Sequence, residues 1–168
     1  MTINYNARLK GFTIIELLVV ATIIGLIAAI IIAMVSNPRQ KSSDAAIKQN
    51  LNTIRSQAEL FYISNNNTYG SVMVFSDCDL ATLLSGSLFL DPTIKEAIAA
   101  VKKANGGNAV KCASGDITGK GTAGSWAVSS PLTEDINNGK FWCADFTSAS
   151  GLSEGAAGGG DAEAYCQF

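Results

Sequence analysis

The stretch Lys10-Gly11-Phe12-Thr13-Ile14-Ile15-Glu16-Leu17-Leu18-Val19-Val20 opens a run that stays apolar as far as Val35. From Leu17 to Val35 there are nineteen residues without a charge, and only Thr22 and Gly25 interrupt the aliphatic side chains. A helix rises about 1.5 Å per residue, so a run of this length covers most of the ~30 Å hydrocarbon core of a bilayer. The stretch reads as a membrane-competent helix. Glu16 is its anomaly, because a carboxylate at the edge of hydrocarbon is heavily penalised unless it has a partner or reaches the headgroups.

A lone glutamate beside an apolar helix is ordinarily a flanking charge. The whole constellation from Lys10 to Glu16, however, resembles the prepilin leader motif of type IV pilins and type II secretion pseudopilins. The resemblance is close as far as about Arg55 and holds in outline beyond it. It implies that a membrane prepilin peptidase cuts after Gly11 and methylates the new amino terminus at Phe12. It also implies that Glu16 neutralises the terminal amine of an adjacent subunit as the helix enters a filament. Opposite charges about 4 Å apart attract strongly in a low dielectric, whereas either alone in an apolar bundle is costly. Pairing of this kind rewards correct axial register.

The organisation that follows is α+β and pilin-like, a long amino-terminal helix packed on a small antiparallel sheet. Residues 1–11 are expected to be a cleaved leader, 12–35 a transmembrane and filament-core helix, and 36–64 its amphipathic continuation. Residues 65–168 are expected to form a globular head with a C-terminal disulfide loop.

The formal charge is −2, and removal of Arg8 and Lys10 with the leader would bring it to −4 before the termini are counted. Nothing in that balance attracts nucleic acid. The chain has no histidine, which removes the commonest general base and the commonest metal ligand and excludes hydrolytic triads of the usual form. No catalytic residue, metal site or cofactor is expected. Cys78, Cys112, Cys143 and Cys166 all lie beyond the apolar helix, widely spaced and without a CxxC pair. Zinc and redox chemistry are disfavoured, and two disulfides formed in an oxidising compartment are expected. Four cysteines allow three connectivities. Pairing Cys143 with Cys166 is favoured, since it closes the glycine-rich tail onto a predicted strand and resembles the C-terminal disulfide loop of many pilins; Cys78 is then left with Cys112.

Along the chain, Met1 to Gly11 is basic and free of acids, but Arg39 and Lys41 on the far flank match Arg8 and Lys10 in number. Orientation therefore rests on the extracytoplasmic cysteines. An ordinary secretory signal fits poorly, because the apolar core is long, carries Glu16 at its front and lacks an A-x-A site. Pro38 predicts a kink or break near Met34. Many pilins carry that proline near the position of Ala33 here. Ile47, Leu51, Ile54, Ala58 and Phe61 then form one apolar stripe, while Asp44 with Lys48 and Arg55 with Glu59 are spaced as i, i+4 pairs. The helix is expected to end at Ser64, before a run of asparagines that favours left-handed turns. The acceptor-type sequon Asn66-Asn67-Thr68 is read as coincidental.

In the head, a short helical turn is predicted from Asp79 to Gly86 and a helix from Asp91 to Asn105, capped by Asp91 with Pro92 at its first position. Strands are predicted at Ala109–Ala113, Ser125–Ser130 and Lys140–Phe146, giving a sheet of three or four strands. The tail from Ser148 to Gly160 is too poor in large apolar groups to pack by itself. Asp145, Glu154, Asp161 and Glu163 are considered as calcium ligands, but they show no regular oxygen-ligand spacing.

The leading functional expectation is a structural subunit of a type IV pilus. It would be held in the inner membrane as a single-pass precursor and then assembled, with the pilus or secretion machinery, into an extracellular helical homo-polymer. Gly25, Ala28, Ala29 and Ala33 offer close helix packing for that purpose. The alternative is a pseudopilin of a type II secretion or DNA-uptake system, and two disulfides weigh toward the pilin. A membrane-anchored enzyme finds no support in the residues. An adhesion or DNA-uptake module would rest on lysines such as Lys111 and Lys120, for which a solvated face is the simpler account.

Overall fold

The apolar run forms helix α1, Ile14–Met34, and the stripe beyond it forms helix α2, Pro38–Ser64. These elements are seen in a computed structural model that describes residues 11–34, 38–78, 84–134, 139–153 and 164–166. The chain divides into two units, Met1–Pro38 and Arg39–Phe168. The break expected near Pro38 falls on residues 35–37, outside the described residues; Pro38 itself opens α2, where its missing N–H costs nothing.

In the second unit α2 leads into five strands and a third helix. The strands are β1 Met73–Asp77, β2 Lys111–Gly115, β3 Ser125–Pro131, β4 Phe141–Asp145 and β5 Ser150–Ser153, and helix α3, Pro92–Ala104, lies between β1 and β2. They form one antiparallel meander in the order β1-β2-β3-β4-β5. The fold is thus α+β, with two more strands than the three singled out in the sequence. β1 was hidden because its apolar run is only Val72 to Phe75, and an irregular register between Met73 and Ser76 breaks its alternation. β5 lies in the stretch judged too small-featured to pack; it is held instead by backbone pairing, with Leu152 opposite Trp142.

The sheet has two covered faces, and strand alternation separates them. Cys112, Trp126, Val128 and Ala144 point to the helix side, where they join Ile47, Leu51, Ile54 and Ala58 of α2 and Ile94, Ala97, Ile98 and Val101 of α3 in one core. Ala113, Ala127 and Cys143 point to the other side and meet Ala164 and Cys166. α3 starts as its sequence requires: the Asp91 carboxylate accepts from the amides of Thr93 (2.9 Å) and Ile94 (3.1 Å), and Pro92 fills the first position. Of the predicted turn at Asp79–Gly86, residues 79–83 lie outside the described residues, and Ser85–Gly86 form a simple turn before a 3-10 turn at Leu88–Leu90.

The two i, i+4 ion pairs expected on α2 do not form, because each charge has a better partner in the head. Asp44 is buried and accepts from the Thr133 amide and hydroxyl, both at 2.7 Å. Lys48 lies 4.5 Å from the ring centroid of Trp142, and Arg55 donates to the Ser148 carbonyl at 2.7 Å. Glu59 accepts from the Tyr69 hydroxyl at 3.1 Å. Burial and the neighbouring Glu59 carboxylate push the Tyr69 phenol upward, so it stays protonated well beyond the usual range.

Immediately after α2, Asn66 and Asn67 adopt positive φ, of 54° and 56°, and turn the chain back. Residues Thr68–Ser71 then run as a thin ladder: Tyr69 donates to the Ala123 carbonyl, Ala123 donates to the Gly70 carbonyl, and Leu88 donates to the Tyr69 carbonyl. Gly70 sits at φ 88°, and a Cβ there would lie 1.9 Å from the Gly86 carbonyl oxygen. Elsewhere in the head, Asp116 gathers the Thr118 and Gly121 amides and the Thr118 hydroxyl. Those donors, Gly121 first, hold its carboxyl down at about 2.

Two outcomes follow. Gly70→Ala should destabilise the full chain in detergent by at least ~3 kcal/mol, through strain and a backbone clash together. Gly107→Ala, also at positive φ but with open space around it, should cost only about 1 kcal/mol. Denaturant unfolding read by tryptophan fluorescence compares them, and equal costs would remove the clash from the explanation. For Asp116 the folded-state pKa is depressed, so its stabilising effect is complete above the free-carboxylate value of about 3.9 and is lost as pH falls toward about 2. The amides of residues 118 and 121 should keep their native NMR shifts at pH 4 and lose them only near pH 2; loss already at pH 4 would contradict this.

Candidate functional site

The amino-terminal segment is built from a short polar entry and a long apolar rod. Gly11, Phe12 and Thr13 precede α1, and Phe12 is 82% exposed. Residues 1–10, which include most of the expected leader, lie outside the described residues. α1 starts where a threonine and a glutamate three positions later satisfy each other. Thr13 donates to Glu16 Oε2 from its amide (2.9 Å) and from its hydroxyl (2.8 Å), while the Glu16 amide donates back to Thr13 Oγ1 at 3.3 Å.

This is a reciprocal capping box, with Thr13 as the N-cap and Glu16 at the third helical position. Both side-chain bonds land on Oε2, which leaves Oε1 for another donor. The carboxylate also stands in the first turn, where the helix dipole favours a negative charge. The capping role of Thr13 was not singled out in the sequence, although the T-x-x-E spacing that signals it is plainly present.

Beyond the first turn α1 carries almost nothing polar. The Thr22 hydroxyl donates to the Val19 carbonyl at 2.8 Å, so even that group is satisfied within the helix. The segment Ile14–Ile32 is long and apolar enough to cross a membrane and is wholly unburied. Its large side chains, among them Ile14, Leu17, Ile24, Leu26 and Ile32, are all exposed, a surface that water does not tolerate at this size.

Residues 6–32 match the family model described as the prokaryotic N-terminal methylation motif. The chain is also 38% identical over 58 residues to the type IV wide pilus major component PilA4 of Thermus thermophilus, a match that covers 34% of this chain and 44% of that protein. The chain resembles type IV pilins. Its amino-terminal segment carries that relationship, and the chain aligns with less than half of the relative's length. No solved structure matches the chain.

Elsewhere the remaining site residues meet as two disulfides, Cys78–Cys112 and Cys143–Cys166. The first ties the end of β1 to β2 on the helix side of the sheet. The second ties β4 to the chain end on the opposite side, where Ala164–Cys166 lies as a strap. Two buried polar contacts hold the same strap: the Cys166 amide donates to Asp145 Oδ2 and the Ala164 amide to Ser125 Oγ, each at 2.9 Å. Asp145 Oδ1 accepts from the Thr147 amide and hydroxyl. Asp145, considered above as a calcium ligand, therefore spends its carboxylate on protein donors; Glu154, Asp161 and Glu163 lie outside the described residues. The anchoring roles of Asp145 and Ser125 had no local signal, since their partners are 21 and 39 residues away.

Replacing Thr13 by Ala should remove about 1 kcal/mol from the first turn of α1, whereas Thr13→Ser should keep it. Amide exchange at residues 14–17 in detergent micelles reports the difference as a several-fold loss of protection, and equal protection in both variants would contradict the cap.

Proposed function

We propose that this chain is the structural subunit of a type IV pilus, made as a single-pass inner-membrane precursor and cut after Gly11 by a prepilin peptidase. Phe12 becomes the methylated amino terminus. The mature helix then leaves lipid for the core of an extracellular helical fibre, handled by the pilus assembly machinery. One observation carries this reading: an amino-terminal methylation motif lies on an exposed, uniformly apolar helix whose single charge is Glu16.

The chemistry supports the sequence of events. Exposed aliphatic surface is stable in hydrocarbon and in contact with like helices, and in neither place is a free carboxylate stable. In the precursor Glu16 is engaged by Thr13 within its own turn. After cleavage a cationic amine appears at Phe12, and Oε1 is the oxygen open to a neighbour's amine during assembly. A catalytic role has no support in a chain without histidine, and the family is structural.

The test is purification of surface filaments, with mass spectrometry of their main component. The mature chain should begin at Phe12 with a methylated amine; filaments containing an intact leader would overturn the proposal. A mature chain confined to short periplasmic assemblies would assign it instead to a pseudopilin. Glu16→Leu should insert and be processed normally yet assemble at least tenfold less filament, and wild-type filament levels would remove the assembly role of the carboxylate.

A further inference from the structure

Where α2 ends, three aromatic rings follow one another from the surface inward. Tyr62, in the last turn of α2, is half-buried, and its ring centroid lies 4.7 Å from that of Tyr69, with the planes tilted by 39°. At that separation the two rings are in contact. Tyr69 is buried and stands edge-on to Trp126 of β3 at 6.3 Å. Trp126 itself is wholly shut off from water.

The pair is assembled from both sides of one turn. Glu59 and Tyr62 are three residues apart and share a face of α2. Asn66 and Asn67, at positive φ, reverse the chain and bring Tyr69 back against that face, where its amide and carbonyl are held by Ala123 and Leu88. The Tyr69 hydroxyl donates to Glu59 Oε1 at 3.1 Å, and Glu59 is exposed. Burial, and then the Glu59 charge, keep Tyr69 protonated. An electron can therefore leave this phenol only together with its proton, and the acceptor for that proton is already in place.

We propose that Tyr62 and Tyr69 are a site of oxidative cross-linking, at which a one-electron oxidant generated from hydrogen peroxide by a haem peroxidase joins the two rings within one chain. Each phenol loses one electron and one proton, the proton of Tyr69 to Glu59 and that of Tyr62 to water. The two radicals combine in a carbon–carbon bond between ring positions ortho to the hydroxyls. The hydrogens at those positions move to the phenolic oxygens, which restores both rings. The pair loses two hydrogens altogether, and one hydrogen peroxide is reduced to two waters. The bond ties the last turn of α2 to the Thr68–Ser71 ladder, whereas the two disulfides join β1 to β2 and β4 to the chain end. It also consumes an oxidising equivalent at the outer two rings, before the equivalent reaches Trp126 in the core. None of this depends on the pilin reading.

The test is treatment of the full chain in detergent with hydrogen peroxide and a small haem peptide, followed by reduction, alkylation and tryptic digestion. Tyr62 and Tyr69 lie in one tryptic peptide, Ser56 to Lys95. That peptide should become two hydrogens lighter, lose its backbone fragment ions between residues 62 and 69, and carry dityrosine fluorescence. Tyr62→Phe, which keeps the ring, should abolish all three signs, and Tyr165→Phe, at the exposed tyrosine of the strap, should keep them. Glu59→Gln should lower the yield of the lighter peptide at equal peroxide. Dityrosine found only between separate chains, or fluorescence lost in Tyr165→Phe rather than in Tyr62→Phe, would overturn the proposal. So would a chain in which Trp126 is oxidised while Tyr62 and Tyr69 stay unmodified, and an unchanged yield in Glu59→Gln would overturn the proton-accepting role of Glu59.

Discussion

The second unit depends on one packing contact, the stripe Ile47, Leu51, Ile54 and Ala58 of α2 against Trp126 and Val128 of β3. Each large aliphatic side chain fully removed from water contributes about 2 kcal/mol, and all four α2 residues are completely buried. Without this contact the helix side of a five-stranded meander would face water. α3 completes the same layer with its own face, so the sheet is covered from β1 toward β4.

The polar residues of α2 show how a helix is fixed in register once its apolar stripe has set the approach. Asp44, Lys48, Arg55, Gln57 and Glu59 each find a partner in the head, from the Thr133 loop through Trp142 and Ser148 to Asp91 and Tyr69. A surface ion pair within a helix is worth only a few tenths of a kcal/mol. A half-buried hydrogen bond to a fixed loop is worth more and also holds that loop. That difference explains why the i, i+4 pairs give way.

The opposite side of the sheet follows another rule. The small residues Ala113, Ala127 and Cys143 let the strap Ala164–Cys166 lie close against the sheet. A disulfide, a buried carboxylate and a buried hydroxyl fasten that strap together. In the chain-entropy account each disulfide contributes about 3 to 4 kcal/mol for loops of this size, so a tail without a core of its own is still tied down.

The sequence by itself determined the elements whose signal is local. The charge-free run after Glu16 could only be a helix for lipid or for its own kind, the stripe of α2 could only face a core, and Asp91-Pro92 marked the start of α3. It did so because helix periodicity and capping are written in neighbouring residues. Tertiary structure alone decided that β1 and β5 pair, that Asp44 and Asp145 hold distant loops, and that Gly70 must have no side chain. Each of these rests on a contact with residues far along the chain, whereas β3, expected at Ser125–Ser130, could be seen in the alternation of Trp126 and Val128 with small or polar neighbours.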